Sequence, residues 1–232
     1  MRKRLIRLLG GHRNKVFLTD GRVKIVWKDG FRRQKQIREG VLLENFVAVH
    51  TDIKSRMLVD KSRPVEEEKG ELVTYFNYAQ GEIRYPWNLE EISSSAKLLS
   101  RFHAVINAST HQRINHQLHL DFARGNVLFQ SGSSNAIGII DFETTAIGPV
   151  EQELGRTLSF ILVDTPGEVY ETSREKFRKL EQRTMSFLTN YGLPYRKEDV
   201  VKWTKKYLSG EDFGNLNSVR DIAIQFINAS TH

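Results

Sequence analysis

The sequence predicts an α+β fold in two parts, a small antiparallel β-sheet carrying one helix and a mainly helical remainder. Three observations predict it. Residues 5–28 are β-rich and contain Asp20-Gly21, the strongest two-residue hairpin signal. Apolar residues at spacings near 3.6 set in after residue 32 and again after residue 88. One short hairpin stands alone in the second part, NVLFQSGSSNAIGIID at 126–141, opening on a carboxamide and closing on a carboxylate. The division falls near residue 81, giving an N-terminal lobe over 1–81 and a C-terminal lobe over 82–232.

In chain order, KVFLT (15–19) and RVKIVWK (22–28) are strands, and LLGGHRN (8–14) supplies an earlier turn through Gly10 and Gly11. Residues 32–48 form a helix with Ile37, Val41, Leu42 and Phe46 along one side. SRMLVDKS and GELVTYFNY are strands around the polar loop RPVEEEKG. Asn88 and Glu91 form a capping box ahead of Ile92, Ala96, Leu99 and His103. Val127–Gln130 and Ile137–Ile140 are the hairpin strands. Thr172 with Glu175 starts a helix that ends near Asn190-Tyr191-Gly192, and further helices cover 197–209 and 217–229. The hexapeptide INASTH occurs at 106–111 and 227–232 and carries no functional argument.

Composition narrows the function classes. The 232 residues include no cysteine, which excludes disulfides and thiolate metal sites. The opening MRKRLIRLLGG starts like a signal peptide, but Arg7 breaks its apolar stretch, and no window reaches the ~18 apolar residues of a membrane span. A cytoplasmic protein is expected. The net charge of +7 is concentrated in residues 1–40, which hold 13 basic and 3 acidic groups. Such a region suits nucleic acid, an acidic surface, a polyphosphate ligand or plain solvent.

The chemistry gathers around HLDFARGNVLF, residues 119–129. If Gln130 pairs with Ile137, Asn126 falls opposite Asp141, and opposed residues sit roughly 4.5–5.5 Å apart at Cα. Two oxygen ligands at one hairpin end suit Mg²⁺, which takes few ligands from protein and leaves the rest to water and phosphate. Asp121 precedes Asn126 by five residues, so a loop can return its carboxylate to the same region. There it can orient a hydroxyl and accept its proton, with His119 as a support. Nearby histidines at 111 and 116 raise a zinc cluster, which the irregular spacing and lack of cysteine disfavour.

HxDxxxxN followed by a short hairpin and IIDFE resembles the aminoglycoside phosphotransferase and choline kinase-like family, relatives of the protein kinases. His119, Asp121, Asn126 and Asp141 match its motif, and the likeness extends over about residues 5–160. Leu120 stands where the family usually has glycine. The resemblance implies a bilobal protein-kinase-like fold and a Mg²⁺-dependent transfer from ATP or GTP to a small-molecule hydroxyl. It implies a phosphate-covering turn at Gly10 and Gly11. It also implies a strand lysine on the phosphates, with Lys28 preferred over Lys24, and a helix glutamate that holds it, with Glu39 preferred over Glu44. Thr74–Tyr78, with Phe76 and Tyr78, would be the connector beside adenine. Glu143 and Glu153 match acidic positions common in the family.

The chain after residue 160 is short for that family and lacks an acidic cluster suited to a polycationic acceptor. Two alternatives therefore stand beside a small-molecule kinase: a kinase of a protein, RNA or lipid-linked sugar, and a non-catalytic nucleotide-binding regulatory module. Nucleic-acid binding lacks a matching motif.

Overall fold

A computed structural model describes residues 6–7, 14–19, 21–110, 116–123, 125–164, 173–210 and 217–229. The chain forms two compact units, Met1–Gly81 with Gly138–Thr145, and Glu82–Ile137 with Ala146–His232. The short segment that carries Asp141 therefore belongs with the first unit, whereas the sequence assigns everything beyond residue 81 to the second. Local periodicity has no means of signalling such a long-range return.

In the first unit β1 (Ile6–Arg7), β2 (Lys15–Thr19), β3 (Arg22–Trp27), β4 (Glu66–Glu68) and β5 (Glu71–Asn77) make an antiparallel sheet in the order β1-β2-β3-β5-β4. The two-residue turn pairs Thr19 with Arg22, and Gly21 takes the left-handed φ of 73° that it needs. Helix α1 (Gln34–His50) follows a short 3₁₀ turn, Gly30–Arg33. Val23, Ile25 and Trp27 of β3 join Leu72 and Phe76 of β5, Ile37 and Val41 of α1, and Leu58 in one buried cluster. Because strand side chains alternate, Lys24 lies on the other face of the sheet. SRMLVDKS does not form the regular strand expected; Leu58 meets Phe76 in an isolated bridge.

Segment 138–145 is bound into this unit by backbone contacts. Lys54 bridges Gly138, the Ile139 N–H donates to the Lys54 carbonyl (2.9 Å), and the Ser55 hydroxyl donates to the Ile139 carbonyl (2.6 Å). Helix α1 approaches so closely at Gly40 that a Cβ there would lie 2.1 Å from the Phe142 carbonyl oxygen.

The second unit contains α2 (Leu89–Thr110), β6 (His116–Leu118), β7 (Val127–Phe129), β8 (Ala136–Ile139, which leaves the unit at its end), β9 (Ala146–Gly148), α3 (Val150–Val163), α4 (Ser173–Tyr191), α5 (Lys197–Gly210) and α6 (Asn217–Ala229). The capping box of α2 is reciprocal: Asn88 N–H donates to Glu91 Oε2 (2.8 Å) and Glu91 N–H to Asn88 Oδ1 (2.9 Å). Helix α4 stops before Gly192, whose φ is 78°, while Thr172 lies outside the described residues. Strand β6 pairs antiparallel with β9.

Strands β7 and β8 form a two-stranded sheet. Its turn closes with the Gln130 N–H on the Asn135 carbonyl (2.9 Å), two residues short of the expected 130/137 pairing. Register counting therefore no longer sets Asn126 against Asp141. Among the described residues, no helix is long and apolar enough to cross a membrane.

Helices α3 and α5 touch at Gly155, where a Cβ would lie 2.5 Å from Trp203 Cβ and 2.8 Å from Thr204 N. Neither helix backbone can yield without losing packing elsewhere. Gly155→Ala is expected to cost about 1–3 kcal/mol, in the range of overpacked cores, read as a lowered Tm with unchanged helix content by circular dichroism.

Candidate active site

The loop after β6 is organised by one buried carboxylate. Glu153, in the first turn of α3, accepts the His119 N–H (2.8 Å) and the Leu120 N–H (2.7 Å). Its Oε2 also faces His103 Nε2 of α2 at 3.1 Å, and His103 Nδ1 faces the Tyr191 hydroxyl at 2.6 Å. Burial pushes the Glu153 carboxyl up, but the His103 hydrogen bond, the charges of His103 and His119 and the His119 N–H outweigh it. The group lies below its ordinary value of 4.5. Burial likewise pushes the Tyr191 hydroxyl far up, so it stays protonated.

Leu120 has a left-handed φ of 57°. For a residue with a Cβ that conformation costs roughly 1–2 kcal/mol. The bond to Glu153 and the buried leucine side chain offset the cost, so glycine is dispensable here.

Beyond Leu120 the loop folds back on itself. The fully buried His119 accepts the Asp121 N–H at Nδ1 (3.2 Å), which makes it a support of the loop. Asn126 uses its amide nitrogen twice, donating to the Asp121 carbonyl (2.9 Å) and to Asp121 Oδ2 (2.8 Å). The other carboxylate oxygen, Oδ1, stands 4.0 Å from Arg156 Nη2. Arg156 lies three residues past Glu153 on α3 and rests over the Tyr207 ring (5.3 Å). Sequence reasoning missed Arg156; its i+3 spacing from Glu153 was the available signal.

In the first unit Asp141 also has a left-handed φ, 69°, and its side chain is about one-third exposed. Arg56 Nη2 lies 4.0 Å from Asp141 Oδ1. Arg56 itself is buried and forked onto Glu44, with Nε to Oε1 at 2.5 Å and Nη2 to Oε2 at 2.9 Å. Glu143 accepts from Asn14 Nδ2 (2.7 Å) and faces Arg33 Nη2 at 3.4 Å.

The residues expected on the nucleotide side have varied surroundings, and Lys28 and Glu39 do not pair as expected. Glu39 is 63% exposed and 3.9 Å from Lys35, because the inward stripe of α1 is Ile37, Gly40, Val41, Glu44 and Val47, with Leu42 outside. Glu44, the second choice, is the buried glutamate. Lys28 is exposed in the turn after β3, where its backbone N–H donates to Asn14 Oδ1 (3.1 Å). Lys24 Nζ donates to Glu68 Oε2 (2.6 Å) and lies over the Tyr75 ring. Phe76 is core, with no exposed surface, beneath the Arg56 guanidinium. Tyr78 is exposed, and its N–H donates to the Gly21 carbonyl. Gly10 and Gly11 lie outside the described residues.

Taken separately, Asn126 and Asp141 each carry oxygen donors of the kind that a hard cation prefers: both bonds from Asn126 are made by its amide nitrogen, and Asp141 has carboxylate oxygens. Among the described residues, no group of three His, Cys, Asp or Glu side chains could hold a metal ion; His111, named for the zinc alternative, lies outside them.

Comparison with known proteins gives one family match and a set of structural likenesses. The sequence profile of the phosphotransferase enzyme family matches residues 41–185. Among curated proteins, none matches the chain by sequence. Solved structures do. A microcompartment-associated aminopropanol kinase is 14% identical, covers 99% of this chain and 90% of its own, and has a TM-score of 0.62. An amicoumacin kinase in complex with AMP-PNP, Ca²⁺ and Ami is 11% identical over 98% and 81%, with a TM-score of 0.61. The macrolide 2'-phosphotransferase MphH from Brachybacterium faecium is 14% identical over 97% and 91%, with a TM-score of 0.55. These likenesses show a kinase-like fold.

The Glu153 hub makes a pH-dependent contribution of known sign. A carboxyl held below its ordinary value stabilises the fold fully above about pH 4.5, and the contribution disappears as pH falls through the folded-state value. Glu153→Gln is expected to lower stability at neutral pH by about 3 kcal/mol, as for one partner removed from a buried pair. The gap between the two Tm-versus-pH curves should close on acidification below 4.5. Parallel curves down to pH 3 would show that Glu153 is not the group responsible.

Proposed function

Given that the chain belongs to the phosphotransferase enzyme family, we propose that it moves the γ-phosphoryl group of ATP or GTP to a hydroxyl of a small molecule, with Mg²⁺, in the cytoplasm. The observation that carries this reading is the Asp121 carboxylate, held at Oδ2 by Asn126 and through its N–H by His119, with Oδ1 directed to Arg156. Asp121 accepts the proton of the acceptor hydroxyl as that oxygen forms its bond to the γ-phosphorus. The bond to the bridging oxygen of the β-phosphate breaks, and the nucleoside diphosphate leaves. Asn126 and Asp141 would hold Mg²⁺, which when bound neutralises charge on the phosphates.

The chain's own contribution is placement. Glu153 and His119 fix the loop so that the base needs no rearrangement at the moment of transfer. The Asn126 amide proton on Oδ2 keeps one lone pair of the carboxylate occupied, which leaves Oδ1 as the proton-accepting oxygen. Arg156 Nη2 lies 4.0 Å from that oxygen. The reading extends to a small acceptor because the similar structures include an aminopropanol kinase and a macrolide phosphotransferase.

The test is a screen for ADP or GDP release over amino sugars, amino alcohols, nucleosides and hydroxy amino acids. With an active acceptor, Asp121→Asn is expected to lower kcat by about 10²–10⁴, the usual worth of a general base, with little change in nucleotide affinity. Unchanged turnover would remove Asp121 from the mechanism. Asp141→Ala should instead weaken Mg²⁺-dependent nucleotide binding, measured by calorimetry with and without the metal.

A further inference from the structure

The first unit contains a buried ion pair that the transfer reaction has not used. Arg56 and Glu44 are both nearly inaccessible, and the guanidinium fork spends Nε and one Nη2 hydrogen on the carboxylate. Burying two charges in this way adds little to stability compared with apolar residues of the same volume. What distinguishes this pair is its neighbour. Arg56 Nη2 is 4.0 Å from Asp141 Oδ1, and the charges of Glu44, Asp141 and Glu143 all bear on the guanidinium.

The residues around Arg56 engage the same target. Lys54 accepts the Ile139 N–H, Ser55 donates to the Ile139 carbonyl, and Arg56 reaches Asp141, so three consecutive residues grip segment 139–141. Gly40 of α1 lets the helix close on Phe142 from another side. Asp141 is thereby kept in a left-handed conformation that an aspartate leaves readily when unsupported. The strand lysines cannot supply this charge. Lys24 is on the sheet face away from α1 and bonded to Glu68, and Lys28 is exposed beyond the end of β3.

We propose that Arg56, forked on Glu44, is the positioning residue for Asp141 and is the partner of the helix glutamate in this chain, where a strand lysine was expected. Arg56 is too buried to touch a ligand and acts through the Asp141 carboxylate. The proposal rests on the reading of Asp141 as a ligand of the nucleotide-bound metal.

The test measures ADP and GDP affinity by calorimetry across a Mg²⁺ titration, alongside Tm. Glu44→Leu/Arg56→Met replaces the pair by apolar side chains and should keep Tm near that of the unmodified protein. Its Mg²⁺-dependent nucleotide affinity should fall tenfold or more, while metal-free affinity stays unchanged. Arg56→Lys retains the charge without the fork and should fall between the two; it decides the matter alone if the double variant does not fold. Variants with normal Mg²⁺ dependence would overturn the role of Arg56. Asp141→Ala separates the two levels: if it too binds normally, the metal role of Asp141 fails and this proposal with it. If Asp141→Ala alone weakens binding, only the Arg56 assignment falls.

Discussion

The second unit depends on the two oxygens of Glu153. They receive consecutive backbone N–H groups, from His119 and Leu120, and one of them also meets His103. A chain turning through a left-handed residue in a buried place would otherwise strand two donors, at a cost of about 1–3 kcal/mol each. One side chain satisfies both and sets the direction in which the chain leaves toward Asp121. The intraloop bonds from His119 and Asn126 then have only short distances to close. The order of causes runs from the helix glutamate to the loop and from the loop to the Asp121 carboxylate.

The first unit solves a comparable problem differently. Asp141 also sits at left-handed φ, yet its support comes from the stretch after α1 and from the helix itself, not from one carboxylate. Glycine at position 40 is a requirement of close approach: its missing Cβ makes room for the Phe142 carbonyl. Two carboxylates with different assigned tasks are thus each held rigidly, one through hydrogen bonds to its own loop and one through packing and a neighbouring charge.

Features whose cause is local were legible in the sequence. The Asn88–Glu91 cap, the Asp20-Gly21 hairpin and the stop at Gly192 each follow from side chains within a few residues of the event. The bonds that His119, Asp121 and Asn126 make among themselves span five residues or fewer, so their grouping is visible in the sequence, whereas the hold of Glu153 from more than thirty residues away is not. The nucleotide side was harder. Glu39 and Glu44 are both on α1, and choosing between them requires knowing where the inward stripe is centred; the sequence reading of Ile37, Val41, Leu42 and Phe46 included Leu42, which is exposed, and the buried stripe runs through Ile37, Val41, Glu44 and Val47. The hairpin register failed for a related reason, since a Gly/Ser-rich loop admits several closing pairs. Arg56 lies in a stretch that reads as an ordinary strand, and nothing within it announces a partner twelve residues back.

The return of residues 138–145 to the first unit makes the chain cross between units three times, after 81, after 137 and after 145. The two units are therefore not successive beads on a string. A fragment ending at Gly81 would lack Phe142 against Gly40, Ile139 against Lys54 and Ser55, and the carboxylate beside Arg56. A gene split at the obvious linker would yield an N-terminal piece missing part of its own interior. In evolutionary terms the halves cannot be exchanged as cassettes, because an eight-residue insert of one is encoded in the middle of the other.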